Sequence, residues 1–503
     1  MSKDSVVVIG GGVAGLTVAA LLAHEGLKVT LLEAQGNAGG CAGSFRRGPY
    51  SFDIGATQVA GLEAGGIHDV IFRYLNCPIP DASILNPGCV VDLADGFKPV
   101  ELFYDPEKWE CERKSQFPGT ELFWNLCEVL HHSNWMFVSR NPILPVQSSW
   151  DLLQLLKAIR PVNLLSGLIS KMSITDLLKV CRCYQSKRLR EFLDLQLKLY
   201  SQESANRTAA LYGATVLQMA QAPLGLWHLN GSMQKLSDAL TTAFLRDGGE
   251  LLLRHKVVRI SKEKGEGDLY LDIVCEKQNS LILSAPDIIC TLPPQCLLGL
   301  MSTKDGLPPD YRQRLEFLPK PSGALVFYGA LARNTLPPNC CSHMQLASTE
   351  LGSIFASISV EGDGRAPEGE ATVIASIFTD PDDWFPLEKE SYEHKKGIVL
   401  SQFLRIFSNW LEISPASWLH NEIATPRSFA RWTGRPKGIV GGLGQHPSQF
   451  GPFGLPSRTP VDGLWIGGDS IYPGEGTAGV SQSSVMIARQ VLARKGRELK
   501  LTL

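Results

Sequence analysis

Val6-Val7-Val8-Ile9-Gly10-Gly11-Gly12-Val13-Ala14-Gly15-Leu16, closed eighteen residues beyond Gly15 by the acid of Val29-Thr30-Leu31-Leu32-Glu33, decides the fold of this 503-residue chain. Four consecutive β-branched apolar residues read as a strand buried on both faces. Gly10, Gly12 and Gly15 match a G-x-G-x-x-G spacing at the turn into a helix expected from about Leu16 to His24. A second apolar strand, Lys28 to Leu32, runs into Glu33. Each residue type answers a physical need: Gly10 permits the tight turn, Gly12 lets main-chain N–H groups approach a pyrophosphate, and Gly15 lets helix and strand pack closely. The helix start offers orphan donors and a partial positive charge to phosphates, and Glu33 can accept hydrogen bonds from both ribose hydroxyls. A glycine triplet alone is a weak signal. Strand, triplet, helix, strand and acid in order within one unit favour a dinucleotide site over a purely structural βαβ turn.

The length exceeds one ordinary core, so two or more domains are expected. Basic and acidic residues nearly balance at 48 and 50, which gives no reason to expect nucleic acid as a partner. A hydrophobic content of 44% argues against long disorder. Twelve cysteines include no C-x-x-C pair, only Cys181-x-Cys183 and the adjacent Cys340-Cys341, and no secretory pattern precedes the first strand. A reduced, cytoplasmic setting is the simplest expectation. No cysteine and histidine cluster has ligand spacing, so no metal is expected. No run approaches the ~18 apolar residues of a transmembrane helix, so any membrane contact must be peripheral.

Read in order, the chain divides into five segments. Residues 1–100 hold the first nucleotide-binding part, in which Gly39-Gly40 follows Glu33 and allows either a second close backbone approach or a simple hinge. Residues 101–230 turn helical, with apolar residues at helical spacing over Glu121 to His131 and Asp151 to Arg160 and a capping box at Ser173-Ile174-Thr175-Asp176. From Asp151 to Arg190, eight bases face two acids among the pairs Leu152-Leu153, Leu155-Leu156, Leu164-Leu165 and Leu168-Ile169. That composition suits an anionic bilayer surface, or equally a helical lid with solvated charges. Residues 231–300 return to β structure through Leu252 to Ile260, Leu269 to Cys275 and Ala285 to Pro294. His228, just before, reads as a core histidine more readily than a catalytic one. Residues 301–430 carry a second sheet (Gly323 to Ala332, Ile354 to Ser359, Thr372 to Phe378) and a helix, Lys389 to Leu411. Residues 431–503 close with Leu464-Trp465-Ile466-Gly467-Gly468-Asp469 and Tyr472-Pro473-Gly474-Glu475-Gly476-Thr477-Ala478-Gly479-Val480, a second strand, glycine turn and helix start suited to phosphate or polyol. Two such devices at opposite ends favour one long ligand.

These motifs, with the Lys256 to Ile260 strand and Thr425-Pro426 with Phe429 and Arg431, resemble the phytoene desaturase family, which holds carotenoid desaturases, carotenoid cis–trans isomerases and retinol saturases. Phe52 to Gly61 and Tyr472 to Gly476 are most similar to the C-3′,4′ desaturases. The resemblance implies an α/β architecture: a Rossmann-like FAD-binding domain interleaved with a mixed-sheet substrate domain and a helical membrane-facing part. It implies FAD, with Gly10, Gly12 and Gly15 toward the pyrophosphate and Glu33 on the adenosine ribose. Gly39, Gly40 and Arg46 would lie along the cofactor, the Val257 main chain on the adenine, Gly468 and Asp469 at the ribityl chain, and Gly479 and Val480 at the helix aimed at the isoalloxazine. Tyr472 stands where many bacterial members carry histidine, which points away from phytoene itself.

The chemistry so implied is removal of two hydrogens from adjacent carbons of a carotenoid, a hydride to the flavin and a proton to a base, with Glu475 the first candidate; its alternative role is hydrogen bonding within the turn. A quinone or oxygen would take the electrons. Two other functions fit the same motifs: a carotenoid isomerase working with reduced FAD, and a non-enzymatic escort protein of related fold. Amine oxidation is less favoured, because no cysteine lies near the last motif for covalent flavin attachment.

Overall fold

Ser5–Ile9 is the middle strand of a five-stranded sheet in order Leu464–Ile466, Asp287–Cys290, Ser5–Ile9, Lys28–Glu33, Glu250–Leu253. The computed structural model describes residues 4–222, 224–262, 267–275, 279–338 and 340–501. All four pairings are parallel, with Val7 lying between Ile288 and Thr30. Parallel strands need cover on both faces, and the alternation of side chains supplies it. Val6 and Val8 pack into a core shared with helix Val13–His24, whereas Val7 and Ile9 pack against a three-stranded antiparallel sheet, Lys256–Ser261, Leu269–Val274 and Ser280–Ala285. The first helix is buried through Ala23. Leu16, Val18, Leu21 and Leu22 are among its fully buried side chains, each worth about 1.5–3 kcal/mol. It packs between helices Gln234–Arg246 and Thr477–Arg494, and Ser484 Oγ donates to Ala14 O at 2.8 Å. The nucleotide-binding part is therefore interleaved, drawing strands from widely separated stretches.

The β stretch Leu252 to Ile260 breaks at Arg254, whose φ of 60° lies in the left-handed region. Glu250–Leu253 stays in the parallel sheet and Lys256–Ser261 crosses into the antiparallel one. A mixed seven-stranded sheet runs Trp418–Ala424, Gly323–Ala332, Glu370–Thr379, Gly352–Ile358, His343–Ser348, Cys89–Asp92, Val100–Leu102. The last two strands correct the boundary expected at residue 100. Cys89–Asp92 pairs parallel with His343–Ser348, with Cys89 and Val91 buried on one face. Strands of four and three residues carry too little alternation to declare themselves. In Gly323–Ala332 the period of two divides the faces: Leu325 and Phe327 join the core under helix Lys389–Leu411, and Ala324 and Val326 face the opposite side.

A buried charge network ties this sheet to the nucleotide-binding part. His228 Nε2 meets Asp363 Oδ2 at 3.2 Å, and Arg365 lies within ion-pair distance of Asp53 at 3.0 Å, all four side chains at most 2% exposed. His228 is thus a core histidine, paired through Nε2 while its Nδ1 is buried without a hydrogen-bond partner.

Helices Glu121–Val138, Ser149–Ala158, Ile174–Val180, Lys187–Ser201 and Ala210–Met219 build the helical part. The capping box forms: Asp176 N donates to Ser173 Oγ at 3.2 Å and Ser173 N to Asp176 Oδ2 at 3.0 Å. Leu152, Leu153, Leu156, Ile159 and Val162 make an exposed apolar ridge, Leu156 at 61%. The side chains of Leu164, Leu165 and Leu168 lie outside the described residues. Several bases of this stretch have local partners: Arg188 with Asp95, Lys179 with Asp176, Lys187 with Glu191, and Lys171 over Phe453. Among the described residues no helix is long and apolar enough to cross a membrane.

Candidate functional site: a cavity joining two helix starts to an apolar arm

Open parallel sheets bind ligands beyond the carboxyl ends of their strands, and a cavity of about 530 Å³ lies there. Gly10 follows Ile9, Glu33 ends its strand, Thr291 follows Cys290 and Gly468 follows Gly467, and all four line it. Gly12, Gly39, Gly40, Asp469, Glu475, Gly479 and Val480 line it as well. Gly39 N donates to Gly11 O at 2.7 Å, which brings the second glycine pair against the first turn. Three residues expected at the cofactor do not line the cavity. Gly15 is buried inside the first helix, where an added Cβ would lie 1.8 Å from Gly10 O; its role is the close packing of helix on turn. Arg46 is exposed on strand Ser44–Arg47, outside the lining, so its expected place along the cofactor is corrected to a surface position. Val257 is also outside the lining, its side chain in the core. Its strand is nonetheless tethered to the acid, since His255 N donates to Glu33 O at 2.9 Å.

The donors present fit a dinucleotide. Helix Val13–His24 begins at Gly12 and helix Thr477–Arg494 at Gly476, neither with a side chain capping its first N–H groups, and both starts open on the cavity. Such ends attract anions and carbonyl oxygens. A Cβ built on Gly12 would meet nothing nearer than Gly40 Cα at 4.0 Å, so the space beside that turn is free for a phosphate. Glu33 accepts from Gly11 N through Oε2 and from Gln35 N through Oε1, both at 2.7 Å. Two of its four lone-pair directions remain for ribose hydroxyls. Burial raises its carboxyl above the ordinary range, and these main-chain donors pull it back down.

At the other helix start, Asp469 pairs with Arg435, whose guanidinium also donates to Gly441 O at 2.8 Å. Burial works against the charge of Arg435, yet Asp469 beside it holds the guanidinium protonated. Glu475 is next to this pair. Its Oε2 accepts from Gln202 Nε2 at 2.7 Å and from Gly442 N at 3.3 Å, and its Oε1 is buried without a protein partner. Burial pushes the carboxyl up to about 8, with Asp469 adding to the rise while Gln202, Gly442 N–H and Arg435 oppose it. A carboxyl poised near neutrality beside a cavity can give or take a proton.

Part of the same cavity, its apolar arm, is walled by the helical part and the large sheet. Trp135 and Val138, Val216 and Met219, and Phe355 and Ile377 line it, from two helices and the large sheet. Arg435, Gln202 and this arm were not legible in the sequence.

The family model described as flavin containing amine oxidoreductase matches residues 13–492. A chloroplastic prolycopene isomerase of Daucus carota is 25% identical over 524 residues, covering 98% of this chain and 81% of that one. A 4,4'-diaponeurosporene oxygenase of Staphylococcus haemolyticus is 21% identical over 519 residues, 98% of each chain. The solved structure of an oxidoreductase from Methanosarcina mazei has the same fold, with TM-score 0.62 at 16% identity over 96% of this chain and 99% of that one. These relatives agree with the resemblance read from the motifs. A flavin on a dinucleotide frame is FAD, and FAD is the cofactor. The chain belongs to the flavin containing amine oxidoreductase family, and within it resembles the carotenoid desaturases and isomerases.

Proposed function

We propose that the chain is a carotenoid desaturase that introduces a C=C bond, at C-3′,4′, into the acyclic end of a carotenoid. The observation that carries the reading is continuity: one cavity is lined both by the nucleotide cradle with Glu475 and by aromatic and aliphatic side chains of two helices and the large sheet. FAD, once bound, supplies the hydride acceptor. The arm holds the polyene mainly by apolar contact. Glu475 takes the proton from the carbon next to the one that loses hydride, so substrate gives up H⁻ and H⁺ and gains one double bond. The main chain of Val257, beside the tether to Glu33, would receive the adenine. A quinone or oxygen takes the electrons in the second half-reaction.

The substrate dissolves in membranes, and the ridge of Leu152, Leu153, Leu156, Ile159 and Val162 with Lys157 and Arg160 beside it supports a peripheral, bilayer-bound enzyme.

A second reading rests on the full-length likeness to the Daucus carota isomerase and on the raised carboxyl of Glu475. A group that keeps its proton at neutral pH can lend it to a polyene and take it back, with no net oxidation. Expression in a carotenoid-producing host separates the two. Desaturation yields a product lighter by two hydrogens, absorbing at longer wavelength, with oxidised flavin and an acceptor required. A product of unchanged mass formed only after flavin reduction would replace the desaturase with the isomerase.

A further inference from the structure

Gln202 ends helix Lys187–Ser201 in the left-handed region, with φ of 59°, a conformation that glycine adopts without cost and glutamine does not. Its side chain accounts for the choice. Nε2 donates to Gly442 O at 3.0 Å and to Glu475 Oε2 at 2.7 Å, while Oε1 accepts from Ser322 N at 3.2 Å. The amide cannot be turned over: Gly442 O only accepts and Ser322 N only donates, so the nitrogen must face Gly442 and Glu475. Three parts of the chain meet at this one side chain: the end of a helix of the helical part, the residue before strand Gly323–Ala332, and the Gly441-Gly442 turn. Both glycines are needed for the approach. A Cβ on Gly441 would lie 2.1 Å from Gln202 Nε2 and 2.3 Å from Glu475 Oε2, and one on Gly442 would lie 2.1 Å from Asp469 O.

We propose that Gln202 is the positioning residue for Glu475: its amide, locked by two main-chain partners, holds Oε2 and so fixes the carboxyl in the cavity wall. The consequence for reaction rests on Glu475 being the proton-transfer group; the consequence for Glu475 itself does not. The other groups acting on this carboxyl are Asp469, which opposes its ionisation, and Arg435 and Gly442 N–H, which favour it; Tyr212 also lines the cavity, its own hydroxyl held protonated by burial and by the charge of Glu475. A donor such as the Gln202 amide favours the ionised form over the protonated one. Losing it raises the ionisation midpoint of Glu475 by about one pH unit.

The experiment titrates the protonated-carboxyl infrared band of the FAD-loaded enzyme, assigned to Glu475 by its absence in Glu475→Gln, and repeats the titration in Gln202→Gly and Gln202→Met. Gln202→Gly relieves the left-handed backbone, so a purely structural residue predicts an unchanged band and a stable fold. The proposal predicts the same fold with the band titrating about one unit higher. Gln202→Met, which keeps the bulk and removes the amide, shifts it equally and serves if Gln202→Gly does not fold. An unmoved band in the folded variant overturns the assignment of Gln202. A rate–pH profile that keeps its ionisation limb in Glu475→Gln overturns the proton-transfer role of Glu475, while the infrared shift still decides the role of Gln202.

Discussion

Replacing Gly12 by valine separates the cofactor's requirement from the fold's. The site has φ −73° and ψ 177°, extended backbone that any residue adopts, and an added Cβ meets nothing closer than 4.0 Å. The cost to the apoprotein is the weaker N-cap, about 1 kcal/mol or less, which moves Tm by no more than about 2–4 °C. The two methyl groups then project into the space beside the start of helix Val13–His24, where the pyrophosphate belongs. Two charge-assisted N–H···phosphate bonds at about 1.5–3 kcal/mol each are lost, together about 3–6 kcal/mol, so FAD affinity falls more than about a hundredfold. Gly15→Ala is the opposite case. Its Cβ would stand 1.8 Å from Gly10 O, so the helix must lift off the turn, destabilising apoprotein and holoenzyme alike by about 1–3 kcal/mol or more. The assay is FAD titration of stripped protein by flavin fluorescence, with apo Tm by circular dichroism. Stoichiometric FAD in purified Gly12→Val, or an apo Tm as low as that of Gly15→Ala, would refute the reasoning.

Glu475, raised to about 8 from an ordinary 4.5, binds its proton more tightly folded than unfolded. Its stabilising contribution is complete below about pH 4.5 and is lost as pH rises through 8, so Glu475→Gln should gain Tm relative to wild type at pH 9 and not at pH 4. In the same variant desaturation falls by about 10²–10⁴-fold, and the wild-type rate climbs to a plateau above pH 8, whereas a proton-lending isomerase would slow there. Leu153→Glu with Leu156→Glu, at 48% and 61% exposure, should release the protein from anionic vesicles with the flavin spectrum intact. Lys157→Glu with Arg160→Glu should do so most clearly at low salt, since exposed charge is screened within ~8–10 Å. Undiminished sedimentation of both pairs returns helix Ser149–Ala158 to a solvated lid.

The nucleotide cradle was legible because its grammar is local. Val6 to Ile9, the three glycines and Glu33 each act within a few residues of the next, and the closing Gly468 to Val480 turn obeys the same rules at the other end. Gly15 keeps the packing role its spacing suggested, whereas Arg46, placed along the cofactor only by resemblance, is turned to the surface by its strand. The substrate side was hidden for the complementary reason. Gln202 meets Glu475 across 273 positions, and Arg435 sits in a proline- and glycine-rich loop that carries no period at all. Trp135 and Met219 look like ordinary helix-core residues until the sheet opposite them fails to fill the space between.

The strand order also governs how the molecule can be made. Ser5–Ile9 leaves the ribosome long before its neighbours on one side, Asp287–Cys290 and then Leu464–Ile466, so the sheet lacks an edge until residue 466 has been synthesised. Parallel pairing across such separations forms slowly, and the usual order in which N-terminal domains mature first is denied to this one. Throughout translation the chain carries Val6 to Ile9 as an exposed, aggregation-prone strand edge. The yield of soluble enzyme should therefore depend on chaperone capacity during synthesis, and any truncation that removes the last strand should abolish the nucleotide fold rather than trim it.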